Sequence, residues 1–144
     1  MFFTFNMSLG INLLVGLAQK AASVLGDRFD VEIIEKHHNL KIDAPSGTAL
    51  MIANAINEVY DNSLQFVYDR HSQRKKRDKK EIGIHSVRGG TIVGEHEVIF
   101  AGNDEVISIS HSATSKTVFA EGSINAAVYL KGKQADLYDM ASLI

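Results

Sequence analysis

The sequence predicts a single α+β domain with a mixed, largely antiparallel sheet and helices on one face. Three segments, 9–25, 46–60 and 116–131, carry apolar residues at helical spacing. Between residues 81 and 111 apolar and polar residues alternate, which is typical of antiparallel strands with one buried face. A chain of 144 residues with 45% hydrophobic content is long enough for one domain, 1–144, with a core of its own.

Each helix has a start signal, and two have a clear stop. Serine and threonine favour helix starts because their side chains accept hydrogen bonds from free amides, and glycine favours helix ends. The starts are Ser8, Ser46 and either Thr114 or Ser115, and the stops are Gly26 and Gly132.

The strands are short and regular. Val31 and Ile33 alternate with Glu32, which predicts a strand of about five residues. Further strands are expected at 82–84, 91–93, 96–100 and 105–111, with turns at 89–90 and 101–104. Polar side chains recur along them, so we expect one sheet face to be wet or to contact another subunit. These are Glu95, Glu97, Ser108, Ser110 and His111.

Composition argues against several classes of partner. The formal net charge of −2 gives no global attraction to nucleic acid or to anionic membranes, and the absence of cysteine excludes disulfides and cysteine-based zinc sites. The N-terminal MFFTFN lacks the basic region of a signal peptide, and Gln19 and Lys20 interrupt the apolar run that follows. We expect a cytoplasmic protein with no membrane or nucleic-acid partner.

Two polar clusters have a simple interpretation. Residues 70–80 contain seven basic residues without aromatic residues between them, so a solvated, mobile loop is favoured over a polyanion-binding patch. A second group of residues lacks the compact spacing of metal ligands, and we expect no metal site there. That group is His85, Glu95, His96, Glu97 and His111.

The stretch from Val31 to Tyr60 carries the chemistry. A strand delivers His37 and His38 side by side, so that one imidazole can face a pocket while the other supports it. Lys41 follows, and a helix starts at Ser46. Free amides, a helix dipole and a nearby ammonium together form an anion site, and histidine can transfer a proton near neutral pH. The alternative is a surface loop with two solvated histidines and a well-capped helix.

Within this stretch, residues 35–49 read EKHHNLKIDAPSGTA. This segment resembles the hallmark E-x-H-H-x-x-K-x-D-A-P-S-G-T-A of the 4-hydroxy-tetrahydrodipicolinate reductases, or dihydrodipicolinate reductases, of lysine biosynthesis. Residues 85–98 are similar to the second signature of that family, and residues 6–10 and 137–140 look like the two ends of its C-terminal domain. The resemblance covers nearly the whole chain.

The resemblance implies roles for individual residues. His37 would be the catalytic acid/base and Lys41 the proton donor. The dicarboxylate substrate would be held by His38, Lys41, Ser46, Gly47 and Thr48. The nicotinamide end of the cofactor would pass close to Thr4, Phe5, Asn6 and Met7. Lys116 stands where the family commonly has an arginine.

The resemblance also implies a cofactor and an assembly. The cofactor, NADH or NADPH, would be bound mainly by an N-terminal Rossmann domain that residues 1–144 do not contain, so we expect this chain alone to be inactive. The domain would serve substrate binding and assembly of a homotetramer. The alternative is a non-catalytic oligomerisation module or a polyanion binder that uses the basic run.

Overall fold

Among residues 1–143, which the computed structural model describes, five strands form one mixed sheet, and the first two helices pack against it. The helices are α1 (Leu9–Leu25), α2 (Gly47–Val59) and α3 (Thr117–Leu130). The strands are β1 (Asp30–His37), β2 (Gln65–Val67), β3 (Glu81–Arg88), β4 (Gly94–Ala101) and β5 (Val106–Ala113). Short 3₁₀ turns cover Gly26–Arg28 and Met140–Leu143.

The strand order is β2-β3-β1-β4-β5, with β1 in the centre. β1 pairs parallel with β3 and antiparallel with β4, β4 pairs antiparallel with β5, and β2 pairs parallel with β3. The predicted α+β class and mixed sheet are confirmed.

The prediction that strands from residue 81 onward form one antiparallel region is wrong for β3. β1 lies between β3 and β4, because the crossover through α2 returns the chain parallel to β1. Period-2 alternation is the same in parallel and antiparallel strands, so it does not reveal which strands are neighbours. β1 is also longer than expected, since polar residues after Ile34 continue the ladder up to the pair His37 and Arg88.

One face of the sheet changes from apolar to polar along the strands. Val31 and Ile33 of β1 are buried beside Ile82 and Ile84 of β3, and beside Phe100 and Val98 of β4. Further along the same face come Glu35 and His37, with Ser86 and His96 opposite Glu35. The apolar half packs against α1 and α2, and the polar half is left for a site.

The first two helices begin as predicted. The hydroxyl of Ser8 accepts a hydrogen bond from the Ile11 amide at 3.3 Å, and that of Ser46 accepts from the Ala49 amide at 3.1 Å. Gly26 ends α1 with φ +60°, a conformation that favours glycine. The helices meet the core through buried residues that include Ala18, Ala22, Ala49, Ala53 and Ile56.

α3 differs from its prediction. Its N-cap position is Lys116, although the Ser115 hydroxyl accepts a hydrogen bond from the Thr117 amide at 3.2 Å. It buries Gly122 and Ala126, and a Cβ at position 122 would lie 1.8 Å from the Met7 carbonyl oxygen. The close approach of the Met7 backbone to Gly122, and not the burial of larger side chains, therefore determines which face of α3 is buried. The predicted face was Phe119, Ser123, Ala126, Ala127 and Leu130, of which only Ala126 is buried in the described part of the chain.

α1 and the turn after it, Leu9–Arg28, are the one described segment long and apolar enough to cross a membrane. Buried helices of globular domains share this composition. Ile11, Leu14 and Ala18 of α1 are nearly inaccessible and pack into the core of the domain. Packing therefore explains the buried face of this helix, whereas its Leu13, Leu17 and Val24 are 48–59% exposed.

The second face of the sheet carries no helix among the residues described. Glu95, Glu97, Ser108 and Ser110 lie on it, as the alternation predicted, whereas His111 lies on the helix-covered face. We call this second surface the open face. It includes apolar side chains, with Val106 63% exposed and Val87 43% exposed.

The basic run is not simply solvated, because several of its cations bind carboxylates at the edge of the open face. Arg77 contacts Glu32 at 2.8 Å and Asp30 at 3.1 Å. Arg70 contacts Glu32 at 2.5 Å and Glu81 at 2.9 Å. These pairs hold the loop against β1 and β3, which reduces the number of cations available to a polyanion.

Candidate functional site

A cavity of about 190 Å³ lies at the polar end of the helix-covered sheet face. It forms where β1 ends, β4 begins, and α2 starts beside them. Its lining includes His37, His38, Lys41, Thr48, His96 and His111. A cavity of this size takes a small metabolite rather than a drug-sized ligand.

A larger cavity, about 720 Å³, lies at the opposite end of the sheet. Phe29, Tyr60 and Leu64 form part of its wall, and no histidine lines it. Arg28, Lys79 and Lys80 give the larger cavity cationic groups, but only the smaller of the two combines histidines with a lysine.

Glu35 is a fully buried carboxylate beneath the cavity, with 0% exposure. Its Oε2 lies 2.6 Å from Nδ1 of His37 and accepts from Nη1 of Arg88 at 2.8 Å. Its Oε1 accepts from Nη2 of Arg88 at 2.7 Å and from the Ser46 amide at 3.1 Å. Burial alone would raise the pKa of Glu35, but hydrogen bonds from these groups and from Ser86 lower it to about 2.

His96 is also buried beside the cavity, with 4% exposure. Its Nε2 lies 3.1 Å from the Ser46 hydroxyl, and its ring meets that of His37 edge to face with centroids 5.3 Å apart. Burial, followed by the nearby His37, lowers the pKa of His96 to about 4. His96 is therefore neutral at neutral pH.

The cationic side of the cavity is formed by Lys41. Its ammonium lies 2.9 Å from the Asp43 carboxylate, and its side chain is 23% exposed. Asp43 is itself 60% exposed, so a dianion entering the cavity can compete for the ammonium. The Thr48 hydroxyl accepts a hydrogen bond from the Asn6 side-chain amide at 3.0 Å, which links the N-terminal segment to α2.

The structure brings together four of the six residues that the sequence assigned to catalysis or substrate binding. His37, His38, Lys41 and Thr48 all line the cavity. His38 therefore does not support His37 from behind, as the strand geometry predicted; Glu35 does so, because β1 ends at His37 and the chain turns.

Two other assigned residues lie beside the cavity. Ser46 is buried beneath it, with its hydroxyl between the Ala49 amide and His96, and Gly47 is exposed at the start of α2. Of the segment Thr4, Phe5, Asn6 and Met7, only Asn6 is among the lining residues described.

Sequence reasoning missed Glu35, Arg88 and the site role of His96. Glu35 had a signal, since residues two apart on a strand face the same side, which places Glu35 next to His37. Arg88 had none, because its proximity to Glu35 follows from the parallel pairing of β1 with β3.

The histidines and glutamates considered as metal ligands are divided between the two sheet faces. His96 and His111 lie on the helix-covered face, and Glu95 and Glu97 on the open face. In the described residues there is no group of three or more His, Cys, Asp or Glu side chains placed to hold a metal ion.

The burial of His96 predicts a pH-dependent stability. A histidine whose pKa falls from 6.5 to about 4 on folding binds a proton more readily when unfolded, so stability is fully present above pH 6.5 and is lost as the pH falls towards 4. Between pH 6.5 and 4 we expect protonation of His96 to reduce the free energy of unfolding of the wild type by ~3 kcal/mol. The His96→Gln variant should lack this reduction. Urea unfolding of the 144-residue chain at a series of pH values measures it.

Ser46→Ala is the matched control, because it removes the hydrogen-bond partner of His96 but leaves the ring buried. It should lower stability at every pH by ~1 kcal/mol through loss of the helix cap, with an unchanged slope between pH 6.5 and 4. An equal slope in wild type and His96→Gln would contradict the assignment of this pH dependence to His96. The contribution of Glu35 is lost at lower pH, between 4.5 and about 2.

Comparison with known proteins gives concordant results. A model of the family described as "Dihydrodipicolinate reductase, C-terminus" matches residues 10–144. A 4-hydroxy-tetrahydrodipicolinate reductase from Caldanaerobacter subterraneus subsp. tengcongensis is 59% identical over 96% of this chain and 55% of its own length. A protein of the same name from Clostridium novyi is 50% identical over 99% of this chain and 56% of its own length.

A solved structure is similar in fold. It is a dihydrodipicolinate reductase with bound dipicolinate from Paenisporosarcina sp. TG-14, with a TM-score of 0.74 and 28% identity, covering 99% of this chain and 54% of that one. The chain thus spans about half the length of the relatives that it matches. From the family match and the shared fold, the chain belongs to the family of dihydrodipicolinate reductase C-terminal domains.

Proposed function

We propose that this chain is the substrate-binding and acid/base half of a 4-hydroxy-tetrahydrodipicolinate reductase. The whole enzyme would reduce its substrate to tetrahydrodipicolinate with NADH or NADPH, in the diaminopimelate and lysine pathway of the cytoplasm. The observation that carries the proposal is the convergence of His37, Lys41 and Thr48 on one small cavity at the start of α2. The dipicolinate in the similar structure is a small dicarboxylate of the kind this cavity suits.

The cavity offers complementary groups to a ring dicarboxylate. The ammonium of Lys41 and the hydroxyl of Thr48 lie in its wall, and the free amides at the start of α2 add a positive helix end. His38 supplies another donor. Charge-assisted hydrogen bonds of this type orient a carboxylate as well as attract it.

Two residues of the cavity wall would transfer protons to and from the bound substrate. In this proposal His37 presents Nε2 to the cavity and acts as the acid/base, and Lys41 donates a proton to the ring nitrogen. His96 remains neutral beside His37, so it adds no charge that would oppose protonation of its neighbour.

The nicotinamide cofactor would supply the hydride. The described residues fit only its reactive end: Asn6 reaches the cavity wall, while Thr4 and Asn6 are tied by a 2.9 Å hydrogen bond that fixes the segment. The phosphates and ribose need a glycine-rich turn between a strand and a helix, which residues 1–143 do not show. We therefore assign those contacts to a separate dinucleotide-binding domain.

The site predicts binding of pyridine-2,6-dicarboxylate to the 144-residue chain. Lys41→Ala and Thr48→Val should each weaken binding by ~10–100-fold, because each removes a hydrogen bond to a charged group worth about 1.5–3 kcal/mol. Titration calorimetry measures it. His71→Ala is the control, since this exposed histidine is not part of the cavity lining described. Equal loss in the control would place the anion site elsewhere.

The 144-residue chain alone should show no reductase turnover. Adding a dinucleotide-binding domain from a relative, in cis or as a separate chain, should restore the loss of reduced-nicotinamide absorbance. In that restored enzyme His37→Gln should lower kcat by ~10²–10⁴-fold with little change in KM for the cofactor, because only proton transfer is removed. Robust turnover by the isolated chain would refute this account of cofactor binding.

We also propose that the open face assembles a homotetramer. Exposed apolar residues such as Val106 alternate there with serines and glutamates, and the β5 edge is unpaired within residues 1–143. Light scattering should give the mass of four chains. Ile34→Glu, on this face, should dissociate the assembly, whereas Ile42→Glu, at a loop position 98% exposed, should not. A monodisperse wild-type monomer would be inconsistent with the proposal.

A further inference from the structure

We propose that Glu35 and Arg88 form a positioning pair, which fixes the proton of neutral His37 on Nδ1 and holds His37 in register with the anion-binding start of α2. The inference rests on the proposed function, because it concerns the same acid/base residue. Neither Glu35 nor Arg88 lines the cavity described, so both act through other residues.

The position of the proton follows from the chemistry of the Glu35 carboxylate. An ionised carboxylate only accepts hydrogen bonds, and Oε2 of Glu35 lies 2.6 Å from Nδ1 of His37. The hydrogen between them must therefore belong to the imidazole. Nε2 is left as the atom that gains or loses the proton in acid/base chemistry.

Arg88 keeps the carboxylate in this role. Its guanidinium donates to both carboxylate oxygens, at 2.7 and 2.8 Å, which fixes the plane of the carboxylate as well as its charge. A lysine could supply the charge but not the two parallel bonds. Without Arg88 a carboxylate buried to 0% exposure would have a strong tendency to take up a proton and become a donor.

The direction of Nε2 is also determined. A Cβ on Gly94 would lie 3.2 Å from Nε2 of His37, so this atom points to the start of β4 at the cavity wall. Glycine at that position leaves room for a ligand atom next to Nε2. With Nδ1 bound to Glu35 on the other side, the ring has little freedom to turn.

The same pair holds the second half of the site. Nη2 of Arg88 donates to the Asp43 carbonyl at 2.7 Å, and Oε1 of Glu35 accepts from the Ser46 amide at 3.1 Å. The segment from Lys41 to the start of α2 is therefore tied to the same two side chains as His37. A shift of either side chain would move the proton-transfer group relative to the anion site.

The test is the tautomer of His37, read from the ¹⁵N chemical shifts of its ring by long-range ¹H–¹⁵N NMR. The sample is the 144-residue chain without ligand, at a pH where the ring is neutral. A neutral histidine side chain exposed to water favours the Nε2–H form, so a predominant Nδ1–H form is diagnostic. We expect Nδ1–H in the wild type and a shift to mainly Nε2–H in Glu35→Gln, whose amide can donate to Nδ1.

Two further variants separate positioning from folding. Arg88→Lys keeps the positive charge but loses the two parallel hydrogen bonds to the Glu35 carboxylate. We therefore expect an Nδ1–H population of His37 between those of the wild type and Glu35→Gln. Gly94→Ala crowds Nε2 from the cavity side and leaves Nδ1 untouched, so the Nδ1–H form should persist while affinity for pyridine-2,6-dicarboxylate falls. Amide spectra verify that each variant is folded.

A wild-type His37 found mainly as Nε2–H would overturn the inference, whatever the variants show. A folded Glu35→Gln variant with an unchanged Nδ1–H population would also overturn it. The measurement needs no substrate, so it is independent of the proposed function. An Nδ1–H tautomer in a chain that fails to bind pyridine-2,6-dicarboxylate would support the positioning pair and refute the proposed substrate.

Discussion

A buried negative charge on Glu35 is the interaction on which the rest of the site depends. It lies in the central strand, it is inaccessible to solvent, and it receives hydrogen bonds from His37, Arg88 and the Ser46 amide. Removing one partner of a buried ion pair costs about 3–5 kcal/mol, because the other charge stays buried without compensation. The carboxylate therefore joins a strand, a neighbouring strand and a helix start into one rigid unit.

This unit explains why the site lies where it does. The helix-covered sheet face is apolar at Val31 and Ile33 and becomes polar two residues later, at Glu35. The same pleat that directs the core residues towards α1 and α2 directs Glu35 and His37 towards the cavity. Packing in the apolar half fixes the strand, and the hydrogen bonds of the buried Glu35 and His96 hold the polar half. A loop carrying the same residues would lack this support.

Much of the fold was accessible from the sequence because its signals are local. Ser8 and Ser46 cap their helices as predicted, since capping depends only on the residues within one turn. His37, Lys41 and Thr48, which the sequence grouped into one candidate site, all line the cavity. These signals required no knowledge of the tertiary structure.

The remaining features depend on pairing between distant segments. The parallel alignment of β1 with β3 places Arg88 opposite His37 in register, and the antiparallel alignment with β4 places His96 opposite Glu35. Periodicity in one strand contains no information on its neighbours. The face chosen by α3 likewise depends on the close backbone approach of Met7 to Gly122, which helical spacing does not encode.

The central position of β1 has a consequence for how this domain can vary. Its odd-numbered residues face the core and the cavity, and its even-numbered residues face the open side, where Glu32 binds Arg70 and Arg77. Substitutions that retain this alternation change one side at a time. An insertion of one residue within β1 would exchange the two sides beyond it and put Lys36 in the place of His37, and a deletion would put His38 there. The two surfaces can diverge separately in sequence, but the spacing between Val31 and His37 cannot change.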